Sequence, residues 1–597
     1  MNHSRLERLR EEMRARGIDI YVVPSSDFHA SEYVGEYFRA REFLTGFTGS
    51  AGTAVVTREK AGLWTDGRYF IQAAAQLAGS GFDLYRSGEE GVPKVTDFLK
   101  EELPAGGTLG FDGRVVSGDL AEQFRKIAED RGGSLYVTED LVDPIWTDRP
   151  AIACTPVWIL AEEYSGESAV SKLSRIREKM AEENADYHIV ASLCDIAWIL
   201  NLRAGDIAHV PVFLSFLFIS EDRATLFVQP DALGDEAAAY LRDCGVEMDS
   251  YRNVYGAAAQ LQEHAAVLLN RQSVNYRLIS ALPESVRIID REDPSEQMKA
   301  IKNETELRNT RQAHLKDGVA MTKFMYWLKT NVGKIPMDEY TVGCYLDRLR
   351  AGQEHFLDLS FADICAYGPN AAMMHYAADE NHRAQIRPEG MLLVDSGGHY
   401  LEGTTDITRT FILGPVTPEM KLHFTTVVRC NLALANLRFL YGCGGISMDV
   451  VCREPLWELG LDYKCGTGHG VGHILNVHEG PNGFRYKVVP ERRDGGLLEA
   501  GMITTDEPGV YMEGKYGIRI ENELICVEDE KNESGRFMRF EPITYCPIDL
   551  DGIEPELMSE KEKNRLNAYH AMVWEKISPY LTEEERTWLE VYTKEIV

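Results

Sequence analysis

The sequence has few of the features that mark membrane-spanning or secreted proteins. Its longest strongly apolar stretch, residues 210–220, is about half as long as a helix that crosses a bilayer requires, and it contains Pro211. Residues 1–17 carry charges in every helical turn and lack the apolar core and the cleavage site of a secretory signal. We therefore expect an amphipathic N-terminal helix and no membrane span.

Paired cysteines of the Cys-x-x-Cys type are also absent. The 11 cysteines are widely spread and odd in number. This pattern argues against a disulfide framework and against a thiolate zinc site. The expectation that follows is a reducing, cytoplasmic setting.

Positive charge is scarce. The chain has 63 Lys and Arg residues against 94 Asp and Glu residues, which gives a formal net charge of −31. Such an acidic chain repels phosphate backbones and anionic lipid surfaces, so we expect neither nucleic acid nor a membrane as a partner. The excess of carboxylates raises the question of whether some of them hold cations.

The chain is long enough for several domains. Its 597 residues, 44% of them apolar and 26% charged, are typical of a globular protein with two to four domains of about 150 residues each. Residues 6–23 and 173–190 open alike, with apolar residues at helical spacing followed by a short β-rich run. We interpret this likeness as a duplicated α/β unit with a period of about 167 residues, although two short matches of this kind also arise by chance.

Three domains are predicted from these patterns. Residues 1–150 form an α/β domain and residues 151–302 its duplicate. Residues 303–597 hold nearly all the suggestive polar clusters and end in a helical extension. Residues 298–329, at the start of this third region, predict long helical structure.

Two aspartates lie on short predicted strands of the third region. An apolar run at residues 390–394 ends at Asp395, just before a Ser-Gly-Gly turn. Residues 404–411, rich in β-branched side chains, predict a second strand that contains Asp406. If the two strands pair as a hairpin, the two carboxylates converge. For either aspartate alone, a turn or strand-end cap is the alternative.

A glycine-rich segment carries a group of histidines. Residues 465–473 alternate glycine with other residues and include His469 and His473. So many glycines argue against a helical His-x-x-x-His zinc pair. A phosphate-binding loop is the rival interpretation, but no Lys-Ser/Thr pair follows the glycines. His478 adds a third imidazole nearby.

Two further segments place glutamates at a strand end or on one strand face. Glu507 lies at a strand end before a Pro-Gly turn, for which an ordinary surface position is the alternative. In residues 517–523, alternation puts Arg519, Glu521 and Glu523 on the same face of a strand. A solvated outer face is the alternative interpretation of that strand.

Together these residues form an oxygen-rich ligand set that suits hard divalent cations. Four carboxylates around one cation would carry too much charge, whereas two cations neutralise them and leave room for a bridging hydroxide. The chemistry predicted is metal-assisted hydrolysis. Two aspartates, one histidine and two glutamates from these segments would provide such a set.

These motifs resemble those of the pita-bread metallopeptidases, and most closely the three-domain Xaa-Pro aminopeptidases, also called aminopeptidase P. Methionine aminopeptidases share the ligands but are shorter, prolidases usually have one N-terminal domain, and creatinases lack the metal ligands. The resemblance implies an α/β (α+β) protein with two creatinase-like N-terminal α/β domains before a C-terminal pita-bread catalytic domain. It rests on Asp395 and Asp406 with ten residues between them, Gly-Thr-Gly-His469-Gly-Val-Gly, Asn-Val-His478-Glu-Gly-Pro, Glu507-Pro-Gly, Arg519-Ile-Glu521-Asn, and residues 46–53, 64–70 and 196–203.

The resemblance assigns each ligand a place in a dinuclear centre. Asp395 would bind one metal, His469 and Glu507 the other, and Asp406 and Glu521 both. Two divalent ions are implied, manganese first and zinc or cobalt as the other options. The bridging hydroxide would attack the carbonyl of the bond before proline, and Glu507 would take or relay its proton.

The resemblance also implies roles for residues around the metals. His375 matches a histidine that stabilises the oxyanion or shuttles protons, and His478 matches one that contacts the peptide beside the scissile bond. Both are therefore expected to be catalytic together with Glu507. Arg519 should hold a metal-binding carboxylate in place. The implied substrate-binding residues are Arg68, His375, His469, His478 and Arg519.

Two positions depart from the pattern of the family. Many relatives have His where this chain has Cys465, and a small residue where it has His473. A thiol is a poor substitute for an imidazole proton relay, so that auxiliary role is in doubt. Whether His473 compensates for Cys465 is a hypothesis motivated by its nearness in sequence.

The sequence thus predicts a cytoplasmic, homodimeric metallo-aminopeptidase. It would remove the N-terminal residue from short peptides that have proline at the second position. A prolidase acting on Xaa-Pro dipeptides is the alternative among enzymes. A non-catalytic peptide-binding protein with the pita-bread fold is the alternative from another class, but such proteins have generally lost metal ligands.

Overall fold

The computed structural model describes residues 2–487 and 496–597, and it divides into two compact units. The first unit contains residues up to 162 together with 167–295, and the second contains residues 163–166 together with 296–597. The helices from the N-terminus to the start of the second unit are α1 (Asn2–Ala15), α2 (Ala40–Thr45), α3 (Phe70–Gln76), α4 (Val95–Glu102), α5 (Gly118–Asp130), α6 (Glu162–Ser165), α7 (Ala169–Glu182), α8 (Leu193–Leu200), α9 (Asp235–Asp243), α10 (Val254–Ala259), α11 (Tyr276–Ala281) and α12 (Pro294–Ala300). The strands of the first unit are β1 (Ile20–Pro24), β2 (Thr53–Thr57), β3 (Ala61–Thr65), β4 (Asp83–Arg86), β5 (Thr108–Phe111), β6 (Ser134–Tyr136), β7 (Trp158–Ile159), β8 (Tyr187–Val190), β9 (Leu202–Arg203), β10 (Ser215–Ser220), β11 (Ala224–Val228), β12 (Val246–Ser250), β13 (Ala266–Leu269) and β14 (Arg287–Asp290).

The first unit contains two six-stranded sheets of the same topology. Their orders are β4-β3-β2-β1-β5-β6 and β12-β11-β10-β8-β13-β14. In both sheets the two antiparallel pairings lie in the middle, around β2 and β10, and the remaining pairings are parallel. Strands β1 and β8 begin at Ile20 and Tyr187, at the spacing that the sequence repeat predicts. This repeated topology is what a duplication would produce.

The two halves of the first unit also pair through equivalent backbone segments. Ser117 and Asn275 form a β-bridge, and their side chains cap α5 and α11 by accepting from Leu120 N and Leu278 N. The flanking hydrogen bonds are reciprocal, as expected for a two-fold relation between similar domains. They join Gly118 N to Val274 O (3.0 Å), Tyr276 N to Val116 O (2.8 Å), Asp119 N to Arg271 O (3.1 Å) and Arg277 N to Gly113 O (2.8 Å).

The long helical stretch predicted at the start of the third region is interrupted. Helix α12 ends at Ala300, and the next helix, α13, begins at Glu304. The break is set by Asn303, whose side chain accepts from the backbone N–H of Thr305 and of Glu306, while Glu306 Oε2 accepts from Asn303 N. This capping box stabilises a new helix start inside a sequence whose apolar spacing continues.

The second unit packs helices against antiparallel strands. Its helices are α13 (Glu304–Asn331), α14 (Glu339–Ala351), α15 (Pro418–Ala435), α16 (Gly445–Trp457), α17 (Glu560–Ile577) and α18 (Glu583–Tyr592). Its strands are β15 (Phe356–Leu359), β16 (Ile364–Tyr367), β17 (Met391–Ser396), β18 (Gly398–Tyr400), β19 (Gly403–Thr404), β20 (Ile407–Ile412), β21 (Arg438–Leu440), β22 (Gly468–Gly470), β23 (Glu479–Phe484), β24 (Ile503–Asp506), β25 (Gly509–Met512), β26 (Tyr516–Arg519), β27 (Asn522–Asn532) and β28 (Gly535–Pro542).

Two sheets of the second unit supply the strand ends that matter for the site. Strands β16, β17 and β20 form one antiparallel sheet, and β21-β28-β27-β24-β22-β23 form another. Apolar residues of α13 and α14 bury the first sheet, while α15, α16 and α17 cover the second. None of the helices in residues 2–487 and 496–597 combines the length and the apolar character that crossing a bilayer would require.

Candidate active site

The two aspartates of the sequence motif lie at the same end of a strand pair. Strand β17 pairs antiparallel with β20, and Asp395 lies opposite Thr408. The predicted pairing of the two strands is therefore correct, but the second strand begins later than predicted, at Ile407, so Asp406 directly precedes it. The residues between Asp395 and Asp406 include two separate strands, β18 and β19. Thr404, where the second strand was predicted to begin, belongs to β19.

The glycine-rich segment is extended and belongs to the larger sheet. Strand β22 pairs with β23 and β24, as the many glycines favour, and no helix forms there. A Cβ atom on Gly468 or Gly470 would collide with a backbone carbonyl oxygen, that of Thr505 or of Glu479. The glycines thus permit close strand approach beside His469.

The two glutamates converge from neighbouring strands of the same sheet. Strand β24 pairs with β27 so that Asp506 lies opposite Asn522. Glu507 follows the first of these residues and Glu521 precedes the second, so their side chains lie at the same sheet edge. Glu521 is only 1% exposed. A solvated outer face, the alternative for this strand, is therefore wrong.

Ligand atoms of both sheets meet in one cluster. One side-chain atom each of Asp406, His469 and Glu521 lies within 4.8 Å of the others. His469 Nε2 is 3.4 Å from Asp406 Oδ2 and 3.6 Å from Glu507 Oε1. Burial raises the pKa of Asp406 well above its ordinary value, and the charges of Asp395 and Glu507 raise it further. Burial and the charge of Asp406 raise the pKa of Glu521 in the same way.

This donor set fits divalent cations. Hard carboxylate oxygens and one imidazole nitrogen are the ligands that such ions accept. Buried carboxylates whose pKa is raised by neighbouring negative charges lack compensating positive charge, which cations would provide. Asp395 Oδ1 is buried and accepts no hydrogen bond from the described residues, so it is available as a ligand.

Arg519 organises two of these carboxylates. Its Nη2 lies 2.5 Å from Asp395 Oδ2, and its Nη1 donates to Tyr511 OH at 2.7 Å. Its Nε donates to Thr408 Oγ1 at 3.1 Å, and that hydroxyl donates to Glu521 Oε2 at 2.7 Å. The guanidinium thus orients Asp395 directly and Glu521 through one hydroxyl.

The three remaining predicted site residues lie in different settings. The ring of His478 meets that of His469 edge to face, with centroids 4.2 Å apart. His375 follows Met374, whose carbonyl oxygen is 3.5 Å from Arg519 Nη2. Arg68 lies in the first unit, where it forms an ion pair of 2.8 Å with Asp66. The ring of His478 therefore borders the cluster, the backbone next to His375 contacts Arg519, and the roles of all three residues stay predictions.

Two buried residues of this site were missed by the sequence motifs. Glu523 is fully buried, and its Oε1 accepts from Asp406 N at 2.7 Å. Its Oε2 lies 3.1 Å from Nε2 of His314, which projects from α13. The alternation of residues along this strand places Glu523 on the same face as Arg519 and Glu521. Its contact with His314, on a helix far away in the chain, leaves no signal in the sequence.

The two departures from the family pattern have different surroundings. Burial raises the pKa of the Cys465 thiol to about 12, and the charge of Glu507 adds to the shift. His473 is 3% exposed; its Nδ1 is 3.3 Å from Thr310 Oγ1 and its Nε2 is 3.2 Å from Tyr164 O. These contacts favour a structural role for His473.

Comparison with protein families agrees with this architecture. Models of the creatinase/prolidase N-terminal domain match residues 5–144 and 148–306. Metallopeptidase family M24 matches residues 308–528, and the C-terminal region of peptidase M24 matches 536–596. The chain is thus an M24-type metallopeptidase chain with two creatinase-type N-terminal domains. The predicted fold class is confirmed, while the exact domain boundaries stay predictions.

Comparison with individual proteins assigns the chain to a more specific family. A protein of Botryotinia fuckeliana named "Probable Xaa-Pro aminopeptidase P" is 39% identical over 607 residues, which cover 98% of this chain and 92% of that protein. The crystal structure of an X-prolyl aminopeptidase from Caenorhabditis elegans, described as a cytosolic enzyme with a di-nuclear active site, is 34% identical, covers 100% of both chains and has a TM-score of 0.95. The chain belongs to the Xaa-Pro aminopeptidase P family. An Xaa-Pro dipeptidase from Bacillus anthracis, 23% identical with a TM-score of 0.51, matches 64% of this chain and 99% of its own and shares the fold.

The environment of Cys465 and His473 predicts that neither acts as a proton relay. We expect Cys465→Ser to change kcat by less than about threefold, because a buried neutral thiol transfers no proton near neutral pH. His473→Ser should instead lower the free energy of unfolding by about 1–3 kcal/mol, because two buried contacts are lost. The measurements are steady-state kinetics and thermal unfolding.

The double variant Cys465→His with His473→Ser provides the control. If His473 does compensate for Cys465, His473→Ser alone should lose turnover strongly and the added histidine should restore it. Unchanged kcat in all three variants would leave His473 as a purely structural residue.

Proposed function

We propose that this protein is a metallo-aminopeptidase that hydrolyses the bond between an N-terminal residue and a penultimate proline. The observation that carries the proposal is the convergence of Asp406, His469, Glu507 and Glu521 at one buried edge, with Asp395 held beside them by Arg519. The names of the full-length relatives support the same substrate class.

The metal centre we propose is dinuclear. Asp395 would hold one ion and His469 and Glu507 the other, with Asp406 and Glu521 shared. The central burial of the two shared carboxylates supports this division, and the Caenorhabditis elegans relative is described as di-nuclear. Two divalent cations, manganese in our proposal, would supply an acidified water as nucleophile and polarise the scissile carbonyl.

The side chains around the centre would handle protons and position the peptide. The Glu507 side chain is 21% exposed, so its carboxylate can both reach a ligand site and face substrate as the proton acceptor. His375 would stabilise the oxyanion or pass on a proton. His478, whose ring meets that of His469 edge to face, would contact the peptide beside the scissile bond. Arg519 would keep Asp395 in place, and Arg68 would bind the peptide.

We further propose a cytoplasmic homodimer. One face of α16 exposes three apolar side chains, Ile446 (38%), Val450 (42%) and Trp457 (39%), at helical spacings of four and seven residues. An apolar stripe of this kind is unfavourable in water and favours an interface, and pairing with a second copy is the commonest way to cover one. The cytosolic description of the Caenorhabditis elegans relative supports the location.

The substrate class predicts a clear preference between two peptides. Protein that has been stripped with a chelator and reloaded with manganese should cleave Xaa-Pro-Xaa tripeptides, and the stripped protein should be inactive. The measurement is the amount of free N-terminal residue released, quantified by chromatography. Cleavage of Xaa-Pro dipeptides alone would identify a prolidase, and no cleavage by metal-loaded protein would favour a peptide-binding role.

The dinuclear arrangement predicts that both shared ligands are indispensable. Asp406→Ala and Glu521→Ala should each lower kcat/KM by at least about a thousandfold, because a two-metal site loses its geometry with either bridge. Metal content, measured by mass spectrometry of the bound ions, should fall below that of the unaltered protein. Glu513→Gln, an exposed carboxyl in the same unit, is the matched control and should change neither quantity. Full activity in either alanine variant would contradict the mechanism.

The homodimer predicts a change of mass when the α16 stripe is charged. Val450→Glu should weaken self-association at least about tenfold, since a central apolar contact is replaced by a buried charge. Light scattering should then show a shift from twice the chain mass of 67.2 kDa toward one chain mass. Val591→Glu, which makes the same change at an exposed valine of α18, should leave the mass unchanged. A single chain mass for the unaltered protein would refute the dimer.

A further inference from the structure

A fully buried carboxylate lies at the start of α14, away from the proposed metal ligands. Glu339 has no exposed surface, and its two oxygens accept hydrogen bonds from the loop that connects β16 to β17. The donors are Tyr367 N to Oε1 (2.7 Å), Asn370 Nδ2 to both oxygens (3.0 and 3.1 Å), Tyr376 OH to Oε2 (2.8 Å) and Ala384 N to Oε2 (2.6 Å).

These donors come from both ends of the loop. Tyr367 is the last residue of β16, and Ala384 lies shortly before β17. The second attachment is reciprocal, because Glu339 N also donates to Ala384 O at 3.1 Å. One carboxylate therefore closes the loop, and His375 lies within the closed segment.

The middle of the same loop faces the proposed metal centre. Met374 O lies 3.5 Å from Arg519 Nη2, and the same nitrogen bonds Asp395 Oδ2 at 2.5 Å. The neighbour of His375 is thus tied to a guanidinium that orients a candidate metal ligand. Any loosening of the loop would move His375 relative to that ligand.

We infer that Glu339 is a positioning residue that fixes the loop of residues 368–390 and thereby sets the place of His375. The effect on catalysis rests on the proposed function of His375, whereas the closure of the loop by Glu339 does not depend on that function. Charge-assisted hydrogen bonds from several donors to one buried carboxylate are strong and directional, and partners that orient reacting groups in this way commonly change activity by about 10- to 100-fold.

Glutamine at this position gives a sharp test because it keeps the shape and leaves no cavity. Both oxygens of Glu339 accept from a backbone N–H, one from Tyr367 and one from Ala384. In either orientation, the amide of a glutamine therefore points a donor at a donor. Glu339→Gln therefore loses the side-chain contact at one end of the loop whichever way the amide turns.

The first measurement does not depend on catalysis. Hydrogen exchange of Glu339→Gln, followed by mass spectrometry, should be faster in peptides from residues 368–390 and unchanged in those from α17. Unchanged exchange in the loop would overturn the inference even if the peptidase activity is as proposed.

The second measurement is a double-mutant cycle on the metal-loaded enzyme. Glu339→Gln should lower kcat at least about tenfold with metal content unchanged and KM within about threefold, as expected for a misplaced proton-handling group. In the His375→Ala background the same change should have little further effect, because the group being positioned is already absent. A purely structural role would give equal losses in both backgrounds and would overturn the inference.

A matched control separates positioning from stability. Asp549 is another buried carboxylate of this unit, and it accepts from Ile412 N at 2.8 Å without touching the loop. Asp549→Asn should lower the melting temperature while the kcat of the folded protein stays within about threefold. If Glu339→Gln fails to fold, Tyr376→Phe replaces it in the test, because it removes only one donor. It should lower kcat about threefold when His375 is present and have little effect in the His375→Ala background.

Failure of the proposed function would look different. Full activity of His375→Ala would remove the catalytic role of that histidine, and inactive metal-loaded enzyme would remove the peptidase assignment. In both cases the exchange measurement would still decide whether Glu339 closes the loop.

Discussion

The burial of several carboxylates in one small volume is the constraint on which the second unit depends. Asp406 and Glu521 are 4% and 1% exposed, and burial together with neighbouring carboxylates raises the pKa of both. Such a cluster is unfavourable unless positive charge is brought to it. Arg519 supplies one charge, to Asp395, and His469 offers an imidazole nitrogen. The remaining deficit is the physical reason for expecting cations, and because cations compete with protons for carboxylates, their affinity should rise with pH.

The same constraint explains why the ligands lie on strand ends and not on loops. Opposing carboxylates repel one another, so each must be held by a backbone that cannot give way. Asp395 lies within β17, while Glu507 and Glu521 flank the paired ends of β24 and β27. Glu523, by accepting from Asp406 N, fixes the backbone of Asp406, which directly precedes β20. The residues that support each candidate ligand are therefore close to it in space, but only some of them are close to it in sequence.

This distinction decides what the sequence could predict. The candidate ligands were accessible because short motifs with fixed spacing surround them, and the duplicated α/β topology was accessible because its two helix-strand openings repeat. The supporting residues were not. His314 meets Glu523 from a helix more than 200 positions away, and Glu339 closes a loop whose donors are mostly backbone groups. Backbone donors carry no residue identity, so pattern alone gives no signal. The start of β20 was misplaced for a related reason, since the β-branched run gives no sign of the separate strands that precede Ile407.

The C-terminal region is physically part of the ligand support. Arg409 of β20 is fully buried, and its Nη1 donates to Glu521 O at 2.6 Å. Its Nη2 donates to Tyr569 OH at 2.7 Å and to Asn522 Oδ1 at 2.8 Å, so α17 helps to satisfy this guanidinium. These acceptors are neutral oxygens. The arginine therefore brings positive charge close to the carboxylate cluster and fixes the backbone of Glu521, yet it takes up none of the carboxylate oxygens. Arg519 does the opposite at Asp395, where it occupies Oδ2 and leaves the buried Oδ1 as the ligand atom. Two buried arginines thus stabilise the acidic cluster in different ways, and both leave its ligand atoms open to cations.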